Sequence, residues 1–420
     1  MSTLRTDTLQ TTDSSVTLPV SNIALNGEKS YDFRKYGIKG DNSTDNTSKF
    51  VTLFSDVVAA GGGLVRVPTG NFKVTNLTVP SGVNLVGDGF GNTNIVFTGS
   101  VVGDLCQVNS AASVKDIGLT HVGNPAGTVM ARLLGNKATI NNCQLTNYFI
   151  GIVHGTAGIR VIGSESSDCN FFSPYVATGG GGIFAQNVGN ATIRNNILSG
   201  PTYPAIQPDF GIRVHNADTV FMTDNNVTLH GYALLLDVPA GLNCFALRMS
   251  GNLFDSAGSI TSGGTIDSAL IRPAGNVYDT LGVNNWFGLS YNGCGLRVSA
   301  TGVGKVDGLF LANNQYVDNS ESGFSLESTS CVNVELNGGY ASGNTYAGFR
   351  VLPNVGEFQF IGLKACDVAG RGANGRGMIV EAGTSNSYLI QGCVIRGNVL
   401  SNFTDSGTGL VKQVGNNITA

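Results

Sequence analysis

The stretch Gly211-Ile212-Arg213-Val214 decides the fold, because its pattern returns along the chain at a nearly constant interval. The pattern is a glycine, an apolar residue, any residue and a second apolar residue. Its clear copies begin at Gly182, Gly211, Gly295, Gly323, Gly348, Gly377 and Gly409. Neighbouring copies are 25 to 32 residues apart, except for one interval of 84 residues that contains two weaker copies, Ala233–Leu236 and Ala269–Ile271. The chain is therefore built from a repeated unit of about 28 residues.

A second pattern follows many of these copies: alternating apolar residues that end in asparagine, as in Val220–Asn226 and Gly308–Asn314. Alternation with a period of two is typical of β-strands, and asparagine tolerates left-handed backbone at a corner. Stacked coils of short strands bury a continuous core that no single coil could bury alone. We therefore predict an all-β fold, a single-stranded right-handed parallel β-helix of roughly 12 coils. A string of β-sandwich domains, the alternative, would not keep one period along the chain.

Composition and charge exclude several classes of protein. Charged residues are 12% of the chain, about half the usual ~25%, which is too few for many surface helices. A net charge of −4 with 24 basic residues argues against nucleic acid or an anionic membrane as a partner. Residues 1–10 lack the apolar core of a signal peptide, and no run approaches the ~20 apolar residues of a membrane span. The eight cysteines and four histidines are scattered, so we expect no metal and no cofactor.

The spacing of the apolar residues changes near the amino terminus. The apolar residues of this segment follow helical spacing: Phe50, Leu53, Phe54, Val57 and Val58. Polar residues precede them and three glycines, at 61–63, follow, which predicts one amphipathic helix of about three turns. An open end of a solenoid exposes apolar core and unpaired strand edges. We therefore expect this helix to cap the β-helix.

Three segments around the helix resemble the opening of pectate-lyase-like β-helix proteins: Tyr36–Asn46, Gly61–Val74 and Pro80–Gly89. That opening is shared by bacteriophage tailspikes, polysaccharide lyases and some glycoside hydrolases. Leu4–Val20 resembles the amino-terminal segment that attaches phage tail appendages to the particle. The resemblance divides the chain into an attachment segment at 1–30, a capping helix with the first coils at 31–90, and the β-helix itself at 91–420.

The same resemblance implies a function. Tailspikes are homotrimers that bind a bacterial surface polysaccharide, either capsule or lipopolysaccharide, and many of them cleave it. Such a protein is made in the host cytoplasm and becomes part of the virion, where residues 1–30 would contact a tail or baseplate protein. We expect an endoglycosidase-type depolymerase. Two alternatives remain open: a non-enzymatic adhesin or structural appendage with the same fold, and a polysaccharide lyase.

Outward-facing side chains of the repeated strand predict a carbohydrate-binding surface. The third residue of the motif and the residue after the motif point away from the core, and they include Gln186, Arg213, His215 and Arg297. Guanidinium and amide groups match the hydroxyls and carboxylates of sugars. The corner before this strand is longer at 169–181, 199–210 and 256–268. We expect three aromatic side chains of these corners to contact the glycan: Tyr175, Tyr203 and Phe210.

Carboxylates near this surface are candidates for glycoside hydrolysis. The reaction needs two of them, ~5–5.5 Å apart for retention or ~6.5–9.5 Å apart for inversion. Asp209 and Asp237 rank first because they fall in adjacent coils, and Glu321 with Glu327 ranks second. Neither pair matches a catalytic motif residue by residue.

β-Elimination is the alternative chemistry. It needs a lysine, arginine or tyrosine base close to a uronate. Because the repeats contain few lysines, only Arg213 or Arg297 together with a tyrosine such as Tyr203 would serve.

Overall fold

The computed structural model describes residues 31–98, 102–202, 204–258, 266–383, 387–409 and 411–419. It also describes two short antiparallel strands within the predicted attachment segment, Thr8–Gln10 and Thr17–Pro19. The rest of residues 1–30 and the predicted sugar contact Tyr203 lie outside the described residues.

Each coil contributes three strands, and the strands of successive coils stack in parallel register into three sheets. Sheet 1 contains Gly63–Val67, Val83–Gly87, Ser113–Lys115, Thr139–Asn141, Glu165–Ser167, Ala191–Arg194, Val220–Thr223, Leu247–Ser250, Asn276–Val283, Lys305–Ala312, Cys331–Asn337, Glu357–Ile361, Ser387–Gln391 and Val411–Gly415. Sheet 2 contains Asp41–Asp45, Gly70–Val74, Thr93–Phe97, Gly118–His121, Gln144–Thr146, Asn170–Phe172, Ile197–Ser199, Asn226–Thr228, Leu253–Asp255, Trp286–Gly288, Gln315–Val317, Tyr340–Ser342, Lys364–Ala365 and Val394–Ile395. Sheet 3 contains Leu77–Val79, Gly103–Val108, Thr128–Leu133, Ile150–His154, Gly181–Gly189, Phe210–Ala217, Tyr232–Leu236, Ala269–Ile271, Leu296–Val298, Ser322–Leu326, Ala347–Val351, Arg376–Gly383 and Ser401–Gly407. Two short strands, Val161–Ile162 and Asn243–Phe245, lie at the turns from sheet 3 to sheet 1.

The protein is an all-β, parallel, right-handed β-solenoid of about 13 turns with one helix near its amino terminus. The predicted fold is confirmed, and the number of turns is close to the roughly 12 coils expected. None of the described residues forms a helix long and apolar enough to cross a membrane.

The glycine-led motif forms sheet 3. Ile212 and Val214 are fully buried, while Arg213 between them points outward. The glycine ahead of them is needed for packing, because a Cβ at Gly211 would lie 2.1 Å from a methyl carbon of Val227 in sheet 2. Glycine thus lets sheets 2 and 3 approach each other at the same corner of each coil.

Buried asparagines form a ladder at the corner between sheets 1 and 2. The side-chain amide of each donates to the side-chain oxygen of the next, at 2.9–3.1 Å, along the series Asn196, Asn225, Asn252, Asn285 and Asn314. The backbone N–H of each of the first four donates to the same oxygen. A second ladder joins Asn319, Asn344 and Asn374 at the corner between sheets 2 and 3. The corners predicted for asparagine are therefore fully hydrogen-bonded columns.

The helix, Thr47–Ala59, covers the first coils. Its buried residues include Phe50, whose ring centroid lies 6.5 Å from that of Phe72 in sheet 2 and 5.7 Å from that of Phe33. Phe33 belongs to a short 3-10 helix, Phe33–Tyr36, that packs beside it. Val58, which we placed on the apolar face, is 47% exposed because the helix turns it away from the core. The apolar face of the helix is otherwise the predicted one.

Candidate functional site

One outward column of sheet 3 contains two of the predicted residues, Arg213 and Arg297. The strand register aligns Phe184, Arg213, Leu235, Leu270, Arg297, Ser325 and Arg350 in successive coils. The column is not uniformly polar, since Leu235 and Leu270 pack against Phe210 in a small apolar cluster outside the main core. That cluster separates two groups of charged residues, one around Arg213 and the other around Arg297.

Arg297 is surrounded by three carboxylates, a group we call the Arg297 cluster: Asp267, Arg297, Glu321 and Glu327. Its Nε lies 2.9 Å from Asp267, its Nη2 2.7 Å from Glu321 and its Nη1 2.5 Å from Glu327. The rigid fork of a guanidinium therefore holds any two of the bound carboxylate oxygens within about 8 Å of each other. The second-ranked pair of acids is thus brought together, with Asp267 added to it.

Burial differs strongly within the Arg297 cluster. The side chain of Asp267 is 3% exposed, that of Glu327 13% and that of Glu321 41%. Burial raises the pKa of Asp267 above its ordinary value, although Arg297 and the Cys294 N–H, which donates to Asp267 at 2.7 Å, oppose that shift. Burial also disfavours the charge of Arg297, but Asp267 together with its other neighbours, Glu327 among them, outweighs burial and raises the pKa of the guanidinium. Arg297 is therefore a fixed cation that orients acids on three sides.

Asp237 is held tightly by Arg213 and His215. Its two oxygens lie 3.0 Å from Arg213 Nε and 2.5 Å from Nη2, and His215 Nε2 lies 3.0 Å from Oδ1. Burial would raise the pKa of Asp237, but these partners outweigh it and lower the pKa. Arg213 also lies over the ring of Phe184, 5.4 Å from its centroid. The predicted grouping of Asp237 with Arg213 and His215 is present: Arg213 forms an ion pair with Asp237, and His215 lies beside the same carboxylate.

Asp209 does not join Asp237, so the first-ranked pair is not a pair in the structure. The Asp209 carbonyl accepts from the Tyr232 N–H at 2.9 Å, before the sheet 3 strand, whereas the Asp237 N–H donates to the Val214 carbonyl after it. The Asp209 carboxylate accepts from the Gly179 N–H at 2.7 Å, whereas the Asp237 carboxylate is bound by Arg213. Among the described residues, no cation bridges these two acids as Arg297 bridges Glu321 and Glu327.

The predicted sugar contacts differ in their exposure. Phe210 is 1% exposed and packs under Arg213, 5.6 Å from its guanidinium carbon, so it cannot stack on a sugar. The prediction for Phe210 is wrong because the residue starts the strand instead of ending the loop. Gln186 and Tyr175 are half-buried at the sheet 3 surface and its preceding corner. They stay predicted contacts.

Sequence reasoning left Asp267 and Tyr232 out of the ranked sites. Strand pairing aligns Tyr232 with Phe210, and Asp267 falls at the same position one coil later. Each of these residues lies two positions before the first inward-facing residue of its motif. Tyr232 is electrostatically coupled to Arg272, Asp267, Arg297 and Asp209, and burial is the main cause that raises its pKa. Alignment of the weaker copy Ala269–Ile271 with Leu296–Val298 sets Asp267 opposite Cys294, three residues before Arg297, so only the side-chain geometry reveals the Asp267–Arg297 contact.

A bound metal has no evident place in the Arg297 cluster. No group of three or more histidine, cysteine or acidic side chains within the described ranges is arranged to hold a metal ion. The guanidinium of Arg297 occupies the centre of the three carboxylates, where a cation would otherwise bind.

Known protein sequences match the middle of the chain. Residues 131–268 match the family described as the right handed beta helix region. Mannuronan C5-epimerase AlgE2 of Azotobacter vinelandii is 34% identical over 73 residues, which are 16% of this chain and 7% of that protein. The match therefore spans only a small part of this curated relative.

Solved structures share the fold over most of the chain at low identity. The catalytic unit of the GH87 alpha-1,3-glucanase from Streptomyces thermodiastaticus is 17% identical, with a TM-score of 0.59 and coverage of 96% of this chain and 71% of that one. The surface adhesin PfbA of Streptococcus pneumoniae is 15% identical, with a TM-score of 0.51 and coverage of 92% and 100%. Tailspike protein 3 of bacteriophage CBA120 is 13% identical, with a TM-score of 0.48 and coverage of 92% and 61%. At these identities the likeness concerns the fold alone. The chain is a right-handed parallel β-solenoid whose residues 131–268 match the right handed beta helix region.

Proposed function

We propose that this protein binds a bacterial surface polysaccharide, capsule or lipopolysaccharide, and hydrolyses it at the Arg297 cluster. The observation that carries the proposal is the convergence of Asp267, Glu321 and Glu327 on one guanidinium. The limit of about 8 Å between the bound oxygens is compatible with the carboxylate spacing of either retaining or inverting hydrolysis. The shared fold of an alpha-1,3-glucanase is in keeping with this chemistry.

Exposure and hydrogen bonding suggest separate roles within the Arg297 cluster. Glu327 is oriented by Arg297 and by the Ser325 hydroxyl, which donates to it at 2.7 Å, so we assign it as the base or nucleophile. Glu321 is the most exposed acid, and we assign it as the second carboxylate of the pair, on the side open to substrate. Asp267 is too buried to touch a substrate and acts as a positioning residue for Arg297.

The test compares Glu321→Gln and Glu327→Gln with Glu381→Gln. Glu381 is a matched control because it also pairs with a sheet 3 arginine, Arg350, at 2.7 Å, away from the Arg297 cluster. We expect the release of reducing ends from capsule or lipopolysaccharide to fall by about 10²–10⁴-fold in the first two variants, the usual effect of losing an acid or base. Glu381→Gln should keep its activity. Undiminished activity in both test variants would contradict the assignment.

The lyase alternative finds less support in this arrangement. Arg213 and Arg297 are each bound by carboxylates, and a guanidinium, which stays protonated in proteins, is a poor base. The same assay distinguishes the alternatives, since a lyase would release unsaturated uronates and an adhesin would bind the glycan without shortening it.

We further propose that the protein is a phage tailspike, a homotrimer attached to the tail or baseplate through residues 1–30. The support is the resemblance of Tyr36–Asn46, Gly61–Val74 and Pro80–Gly89 to the opening that tailspikes share with other pectate-lyase-like proteins, and of Leu4–Val20 to attachment segments of tail appendages. A virion protein of this kind meets the polysaccharide at the host surface, where depolymerisation would expose the cell envelope.

A further inference from the structure

A groove of about 710 Å³ lies on sheet 1 in the last coils, away from the sheet 3 residues of the Arg297 cluster. Three strands of sheet 1 bend there because each carries a left-handed residue at the same register: Asp279 (φ 49°), Gly308 (φ 79°) and Asn333 (φ 53°). The bend makes one side of the sheet concave. Its volume falls within the ~300–1,000 Å³ of typical ligand sites.

The floor of the groove combines one aromatic ring with polar side chains. The register aligns Phe310, Glu335, Gln359, Leu389 and Gln413 in successive coils, all lining the groove. Four steps between neighbouring coils span about 20 Å. Phe310 is 41% exposed, which leaves an apolar ring open to a ligand. An apolar face beside amide and carboxylate acceptors is the combination that a sugar ring and its hydroxyls require.

The charge of the groove is negative and largely uncompensated. Asp279, Glu335 and Glu357 line it, and among the described residues none of them forms an ion pair with a lysine or arginine. The lining lysine, Lys412, lies 3.3 Å from Asp405 and so is already paired. A ligand with its own carboxylates would be repelled, and one with ammonium groups would be attracted.

We propose that this groove is a second saccharide-binding site, which takes a glycan segment rich in amino sugars and rejects uronates. The ring of Phe310 contacts the apolar face of one sugar, and the acids accept hydrogen bonds from its hydroxyl and ammonium groups. The site would hold a glycan on sheet 1 independently of cleavage at the Arg297 cluster.

The experiment measures binding of a glucosamine hexamer at pH 6 by calorimetry, in the full chain carrying Glu327→Gln. This substitution prevents the proposed hydrolysis of glycan at the Arg297 cluster during the measurement. Phe310→Ala should weaken the Kd at least tenfold, and Glu335→Gln should weaken it and reduce its salt dependence. The matched control is Phe221→Ala, because Phe221 lies in the same outward column of sheet 1, is 44% exposed and does not line the groove. It should bind the hexamer like its parent.

Four results would overturn the proposal: no binding of the glucosamine hexamer, equal binding of a galacturonate hexamer, an equal loss in Phe221→Ala, or equally tight binding of a pentalysine peptide. The last would show that the groove selects positive charge and not sugar. Because cleavage and groove binding are measured on separate variants, either proposal can fail while the other stands.

Discussion

Single arginines on sheet 3 join neighbouring coils. The third residue of the motif is arginine in three strands, and each arginine holds an acid of the next coil: Arg213 with Asp237, Arg297 with Glu327 and Arg350 with Glu381. The register explains this, because a coil spacing of about 4.8 Å brings an outward acid within reach of a guanidinium one coil away. Only Arg297 gathers more than one acid, and this makes its surroundings chemically distinct.

The buried His154 predicts a pH dependence of stability. Its ring lies between the Ser164 and Ser166 hydroxyls, at 2.8 and 3.0 Å, and burial lowers its pKa to about 3. The folded protein therefore holds His154 neutral where the unfolded chain, with a pKa near 6.5, binds a proton. This contribution to stability is complete above about pH 6.5 and is lost as the pH falls towards 3, by about 1.4 kcal/mol per pH unit.

Denaturant unfolding at pH 7 and pH 4.5 checks this expectation. His154→Gln should lose less stability between the two pH values than the parent, by about 2–3 kcal/mol, because the titrating group is gone. Comparing pH changes within each variant cancels the cost of the substitution itself. An identical pH dependence in both proteins would rule out His154 as the cause.

At the scale of elements, the asparagine ladder fixes the corner between sheets 1 and 2. Asn252 donates to Asn285 Oδ1 and to the Met222 carbonyl, both at 2.9 Å, and accepts from the side chain and backbone of Asn225. Each amide therefore satisfies backbone groups and a side chain of the preceding coil and donates to a side chain of the next. Because the ladder is buried, the donors and acceptors that lose an amide partner cannot form a hydrogen bond with water instead.

We expect Asn252→Ala to lower the free energy of unfolding by about 3 kcal/mol or more, since it leaves several buried groups without partners. Asn71→Ala is the control, because Asn71 is an exposed sheet 2 residue whose amide oxygen accepts from Asn94 at 3.1 Å. This substitution should change the free energy of unfolding by no more than about 0.5 kcal/mol. Chemical denaturation followed by circular dichroism measures both. Equal losses would mean that the ladder contributes no more than a surface contact.

At the scale of the whole molecule, each coil contacts mainly its neighbours, and the chain length of 420 residues sets the number of turns. The proposed tailspike is a trimer, so light scattering on the purified chain should give three times the 43.5 kDa of one chain. Dilution should not change this mass if the trimer is permanent. A mass of 43.5 kDa at all concentrations would contradict the proposed trimer but leave the Arg297 cluster intact.

The candidate site was predictable only in part. The repeat placed Arg213, His215 and Arg297 on one outward surface, and Glu321 with Glu327 was already a ranked pair. The prediction for Phe210 was wrong because the strand starts at this residue, one position before the motif glycine, which moves its side chain from the loop into the sheet. Asp209 and Asp237 are not joined, because each carboxylate has a different partner.

By itself the sequence determined the β-solenoid, its capping helix, its asparagine corners and the inward or outward direction of each strand residue. These features follow from local periodicity. Because every coil repeats the same residue pattern, a misassigned strand in one coil does not change the assignment of the others. Only the tertiary structure decided which acids meet: Asp267 from one coil and Glu321 with Glu327 from another converge on Arg297 of the coil between them. It also revealed the groove on sheet 1, because a bend shared by three strands depends on their register and not on any one segment.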